Sequence, residues 1–295
     1  MTHQHEHEPD EWDLGLAHDL QKMVQRRTAL KMLAGAGAAA FLAACASEAT
    51  TKNTAGTAGA TTADSTATTT GDTTAATTTT AATTGSVATP TANVPAETAG
   101  PYPGDGSNGP DILTEPDVVR SDITTSIGSF SGTAEGVPTS ISLVVLDSAN
   151  SMQPLTNAAI YVWHADRDGH YSMYTAPDAS YLRGVQETDA NGIVTFHSIW
   201  PGCYDGRWPH VHFEVYPSLA DALEARNKIT TSQIALPEAE CTTVYAATGY
   251  EASVTNLTHT SLSTDMVFRD GWDQELATAT GDNDNGWAVS LTISV

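Results

Sequence analysis

The chain is poor in bases and in cysteine. Only 12 Lys and Arg stand against 35 Asp and Glu in 295 residues, a formal net charge of −23. Nucleic-acid binding needs a basic face to neutralise phosphates, so this balance argues against nucleic acid as the main partner. It equally disfavours electrostatic docking on anionic lipid. Three cysteines, Cys45, Cys203 and Cys241, are too few for a disulfide scaffold or a thiolate zinc cluster. No apolar run of about 20 residues is free of glycine, which leaves no ordinary transmembrane helix in view. There is no internal repeat, glycine-rich phosphate loop or nucleophile elbow. What is present, a hydrophobic fraction of 40%, suffices for one sizeable core in one or two domains.

The N-terminal part reads as an address. Residues 1–24 are polar and acidic, and the alternating His3, His5 and His7 there precede a segment that export would remove. Arg26 and Arg27 lead into the apolar run Met32 to Ala44, which closes Leu42-Ala43-Ala44-Cys45. Paired arginines before a short apolar core resemble a twin-arginine (Tat) signal, and the closing residues a lipobox. Residues 1–45 are therefore expected to be a Tat lipoprotein signal with Cys45 as the lipidated residue. The expected location is the outer face of a bacterial membrane or the periplasm, with the lipid anchor as the sole membrane attachment. The bland alternative is a short buried helix with a core cysteine. Residues 46–95, mostly Thr, Ala, Ser and Gly, have too little apolar surface to offset chain entropy and are expected to be a disordered linker.

From 96 to 295 the periodicity is mainly two, the signature of strands half-buried in a sheet. Strands are expected at Ile141–Leu146, Ala159–His164, Ile193–Ile199, His210–Tyr216 and Trp287–Val295, with a turn at Asp189–Gly192. A short helix is expected within Pro217–Lys228, and another from Pro237 through Cys241 to Ala246. Short strands, many turns and little helix predict a mainly β domain, an antiparallel β-sandwich with a few short helices.

His210-Val211-His212 lies in one of these strands. Side chains at i and i+2 leave the same face, so both imidazoles can reach one metal. Just upstream, Pro201-Gly202-Cys203-Tyr204-Asp205-Gly206-Arg207-Trp208-Pro209 delivers a tyrosine and an arginine beside them. Further back stand Trp163-His164-Ala165, Gly169-His170-Tyr171-Ser172 and Leu182-Arg183-Gly184. Taken alone, Tyr171 and Tyr204 also read as core aromatics, Arg207 as a surface ion-pair residue, and His164, His170 and His197 as structural.

These blocks, with Thr98-Ala99-Gly100-Pro101-Tyr102 before them, resemble in order the intradiol ring-cleavage dioxygenases, non-haem iron enzymes of aromatic catabolism. The signal and linker are similar to the exported, single-chain branch of that family. The resemblance implies a mononuclear Fe(III) held by Tyr171, Tyr204, His210 and His212, with Tyr204 the ligand that leaves when substrate arrives. It implies Arg207 beside the substrate ring, Gln233 supporting it, and Tyr102 near the pocket. The implied reaction is cleavage of a catechol-like aromatic diol with O₂ to a muconate-type diacid. The donor types agree, since Fe(III) is a hard acid that favours anionic oxygen. Pro103 departs from the pattern, which often has a second tyrosine there. The substrate's identity and homo-oligomer formation are left open by the sequence. So are two other readings: a non-catalytic β-sandwich lipoprotein that binds a ligand or partner, and a Zn or Cu site on His210 and His212. In an oxidising compartment the two cysteines left after Cys45 are also expected to pair, a Cys203–Cys241 disulfide restraining the loop that carries Tyr204.

Overall fold

A computed structural model describes residues 89–295. The signal, Cys45 and all but the last residues of the linker lie outside the described residues.

Two sheets face each other. The first is built on β1 (Pro138–Asp147), whose residues alternate between buried and half-buried as a strand with one core face must. One edge of β1 pairs antiparallel with β5 (Ile193–Ile199) and, at its far end, with the two-residue β2 (Gln153–Pro154). Its other edge pairs with β9 (Gly286–Ser294), which pairs antiparallel with β8 (Thr278–Asp282). The β1–β9 pair is parallel, in register from Thr139 opposite Trp287 to Leu146 opposite Ser294, so this sheet is mixed rather than purely antiparallel. The second sheet, wholly antiparallel, has the order β4 (Arg183–Glu187), β3 (Ala159–Trp163), β6 (His210–Tyr216), β7 (Thr230–Ala235).

Between the sheets, Ile141, Leu143, Phe196, Val289 and Leu291 from one side meet Ile160, Val162, Val211, Phe213 and Ile234 from the other. Every residue of β3 and β6 is buried. Their second face is covered too, by a cluster in which Tyr161, Trp163, Val185 and Tyr216 pack with Ile112, Leu113, Val118 and Tyr171. That covered outer face carries His210 and His212.

The helices are short. α1 (Leu219–Leu223) starts at Ser218, whose Oγ accepts from the Asp221 N–H. It ends well before Lys228 because Ala225 and Asn227 take left-handed φ of 48° and 53°. α2 (Glu238–Val244) follows Pro237 as expected, and α3 (Glu251–Leu257) adds a helix that the periodicity did not reveal. The folded part also reaches further back than 96. Val94 is a core residue whose N–H donates to the Ser294 carbonyl, and the Ser294 hydroxyl donates to the Ala92 carbonyl. Among the described residues no helix is long and apolar enough to cross a membrane.

Candidate metal centre

One register row crosses the four-stranded sheet beneath the site. Arg183 on β4 is opposite Trp163 on β3, Trp163 is opposite His212 on β6, and His212 is opposite Gln233 on β7. Cross-strand partners share a face, so this row puts an arginine, an aromatic, an imidazole and an amide side by side. Trp163 and His212 stack with ring centroids 4.8 Å apart and planes 3° from parallel, which fixes the imidazole's plane. His210 lies one step along β6 on the same face, beside Phe268.

Two loops add the phenols. Tyr171 sits in a turn in which Asp166 Oδ1 accepts from the Asp168 and His170 N–H groups, and Thr175 Oγ1 accepts from the Tyr171 N–H. Tyr204 comes from the Gly/Pro-shaped loop after β5. It passes so close to the first turn that a Cβ on Gly169 would lie 2.8 Å from the Tyr204 Cβ.

Four donor atoms converge. The Tyr171 hydroxyl is 3.3 Å from His210 Nε2 and 3.4 Å from the Tyr204 hydroxyl. The Tyr204 hydroxyl is 3.4 Å from His210 Nε2, and the two Nε2 atoms are 3.1 Å apart. The three that involve a phenol are long for hydrogen bonds. All four match ligand atoms spaced about 3 Å apart around an ion about 2 Å from each. His210 Nδ1 lies 2.5 Å from the Trp208 carbonyl and must donate to it, so its Nε2 offers a lone pair to the cluster. His212 Nδ1 is buried without a partner. Among the described residues no three His, Cys, Asp or Glu side chains form a metal-holding group, so an ion here would depend on the two phenols.

Electrostatics describes the same site. Burial pushes the Tyr171 phenol well above its ordinary 10, with Tyr204 adding to the shift. Burial raises Tyr204 as well, against the pull of the Arg207 guanidinium. Burial, then the Arg207 charge, lowers His210 to about 3, and His212 also lies well below the ordinary histidine value. Protein atoms alone thus favour two neutral imidazoles, the form that ligates, and two neutral phenols, which ionise against a cation. The donor set fits a hard, highly charged ion such as Fe(III).

Arg207 borders the cluster, its Nη1 3.4 Å from His210 Nε2. Its Nη2 donates to Gln233 Oε1 at 2.7 Å, and Gln233 Nε2 donates to the Thr98 carbonyl at 3.0 Å. Its Nε donates to Asp265 Oδ2 at 2.9 Å, and Asp265 is 1% exposed. Asp265 also accepts from the Trp208, Val267 and Phe268 N–H groups. Sequence reasoning missed this aspartate, which stands 58 residues from Arg207 in a stretch without periodicity. The ring of Tyr102 lies 5.1 Å from that of Tyr171. The structure therefore brings Tyr102, Tyr171, Tyr204, Arg207, His210, His212 and Gln233 into one place. His164 stands apart, its Nδ1 at the Ala165 carbonyl and its Nε2 at the Ser198 hydroxyl, where it ties the two sheets together.

The expected disulfide is a correction. Cys203 and Cys241 are both buried and both free. Both lie in the inter-sheet core, where the Cys203 thiol turns to the Arg207 carbonyl at 3.5 Å. The Tyr204 loop is pinned by α3 instead. Ser253 Oγ accepts from the Cys203 N–H, and Asn256 Nδ2 donates to the Cys203 carbonyl.

Comparison with known proteins bears on the fold and on one stretch of the sequence. The fold is similar to that of an intradiol ring-cleavage dioxygenase from Tetranychus urticae, with a TM-score of 0.53 and 22% identity over 69% of this chain and 94% of that one. Residues 109–225, which include Tyr171, Tyr204, Arg207, His210 and His212, match the family model described as Dioxygenase. The domain thus resembles the intradiol ring-cleaving dioxygenases in fold, and residues 109–225 resemble the Dioxygenase family in sequence. A segment of 54 residues is 43% identical to a chlorocatechol 1,2-dioxygenase of Rhodococcus opacus, covering 18% of this chain and 21% of that protein. Another of 77 residues is 35% identical to a hydroxyquinol 1,2-dioxygenase of Corynebacterium glutamicum, covering 26% and 25%. The matches thus span about a fifth to a quarter of those curated relatives.

Proposed function

We propose that the domain uses a single non-haem Fe(III) to cleave a catechol-like ring with O₂. The bond between the two hydroxyl-bearing carbons breaks, both oxygen atoms enter the product, and the product is a muconate-type diacid. The observation that carries this reading is the convergence of two phenol oxygens and two imidazole nitrogens within 3.1–3.4 Å of their neighbours, beside a buried arginine.

In this reading Tyr171, Tyr204, His210 and His212 hold the iron, which when bound makes an aromatic diol reactive toward O₂. Tyr171 is buried and locked by its turn, so it is the tyrosine suited to stay. Tyr204 is partly exposed, so it is the one suited to swing out and accept a proton from a substrate hydroxyl. Arg207, held by Asp265 and Gln233, keeps its charge beside the ring and stabilises negative charge developing there. Oxygen uptake with catechol, chlorocatechol and hydroxyquinol tests this reaction. One O₂ consumed per diol with a diacid product supports it, and no uptake by the iron-loaded protein refutes it.

We further propose that the chain is exported by the twin-arginine route and anchored through Cys45, as the order of arginines, apolar run and cysteine suggests. Cys45→Ala is expected to release the protein from the membrane fraction. Unchanged attachment refutes the anchor.

A further inference from the structure

Arg183 is 1% exposed, yet among the described residues no carboxylate pairs with it. A buried cation is costly unless an acid or a full set of acceptors surrounds it. Here the acceptors come from two separate segments. Nε donates to the Ser172 hydroxyl at 3.0 Å, and Nη2 to the Ser172 carbonyl at 2.9 Å. Nη1 donates to the Tyr102 and Pro103 carbonyls, each at 3.0 Å, and approaches the Tyr161 hydroxyl at 3.3 Å. Tyr161 reinforces the second contact by donating to the same Pro103 carbonyl at 2.7 Å.

Both segments build the site. Ser172 directly follows Tyr171. Tyr102 and Pro103 belong to a strap, residues 97–104, that runs across the row Arg183–Trp163–His212–Gln233. The row holds the strap at two points, Gln233 through the Thr98 carbonyl and Arg183 through the Tyr102 and Pro103 carbonyls. Between those points Gly100, at φ +70°, passes over His212 so closely that a Cβ there would stand 3.4 Å from His212 Cε1. The backbone ladder of β4 needs none of these side-chain bonds. A planar fork with five donors suits such a junction, and a lysine's single ammonium does not.

We infer that Arg183 is a positioning residue: one buried guanidinium sets both the placement of Tyr171, through Ser172, and the height of the strap over His212. The Tyr171 half rests on the reading of Tyr171 as an iron ligand, and the strap half does not.

The test uses the full chain and the variants Arg183→Lys and Ser172→Ala, with two readouts. The first is the tyrosinate-to-Fe(III) absorption band, and the second is amide hydrogen exchange over residues 97–104. Arg183→Lys is expected to shift the band and to raise exchange in 97–104 at least about tenfold. Ser172→Ala, which keeps the strap contacts, is expected to shift the band in the same direction by less and to leave that exchange unchanged. A folded Arg183→Lys protein with the wild-type band and wild-type strap exchange overturns the inference, even if it melts at a lower temperature. Should the wild type take up no Fe(III), the ligand reading fails by itself, and exchange in 97–104 still decides the strap half.

Discussion

Replacing Asp265 tests whether the arginine beside the candidate metal centre is held in place from outside the cluster. The carboxylate is 1% exposed and receives Arg207 Nε at 2.9 Å and the Trp208 N–H at 2.7 Å, with two further N–H groups from its own turn. Burial alone would raise this acid, and the Arg207 charge with the Trp208 donation outweighs it, holding the carboxyl below its ordinary value. Asp265→Ala leaves the Arg207 charge buried and unpaired, a loss of about 3–5 kcal/mol. That is a large share of the roughly 5–15 kcal/mol that holds a domain together. Asp265→Asn keeps the shape and one acceptor oxygen, and is expected to cost about 2–3 kcal/mol. In the Asn variant Arg207 keeps its charge but loses its aim, so turnover is expected to fall about 10–100-fold, with iron retained. Urea denaturation reads the first effect, oxygen uptake the second and metal analysis the third. An alanine variant within about 1 kcal/mol of wild type, the range of exposed pairs, would show that Asp265 does not hold Arg207 in place.

Further outcomes follow from the same geometry. Tyr204→Phe should keep iron but lower turnover by about 100-fold or more through loss of the base, whereas His212→Ala should lose the metal itself; metal analysis beside oxygen uptake separates the two. Glu275, whose Oε1 accepts from Ser232 Oγ while Oε2 lacks a partner, is raised to about 8 by burial, with Glu97 adding to the effect. A raised acid contributes its stability below the unfolded value near 4.5 and loses it as pH climbs through about 8. Glu275→Gln should therefore match wild type near pH 4.5 and gain a few kcal/mol above pH 8, and an equal shift in Tm at both ends contradicts this. Cys203 and Cys241 should both be alkylated in unreduced, denatured protein and resist alkylation when folded, since burial pushes the Cys203 thiol up to about 12. A linked peptide pair contradicts that expectation.

The parts of this molecule that were legible in the sequence are those with a local signal. His210 and His212 stood out because strand alternation puts i and i+2 on one face. The strands β1, β3, β5, β6 and β9 carry enough branched and aromatic residues to read as period two. β7 did not, because Ser232 and Gln233 are polar at buried positions and their partners, Glu275 and Arg207, come from elsewhere in the chain. β4 was hidden in the same way, since Arg183 is buried only because the strap and the Ser172 carbonyl receive its donors. The parallel β1–β9 pairing joins segments about 150 residues apart and has no local signature. The cysteine pairing failed because both thiols lie in the core beside other partners, and nearness of function in the sequence says nothing about where Sγ points.

Tyr171, Tyr204, His210 and His212 together are expected to hold one Fe(III) that an aromatic diol can reach. The most direct measurement is the visible spectrum of the purified, iron-supplied chain, with metal analysis, before and after catechol is added without oxygen. The expected result is one iron per chain, a reddish-brown protein with a tyrosinate-to-Fe(III) band, and a shift of that band on adding catechol. A folded, colourless protein that binds zinc or no metal, with a spectrum indifferent to catechol, contradicts it.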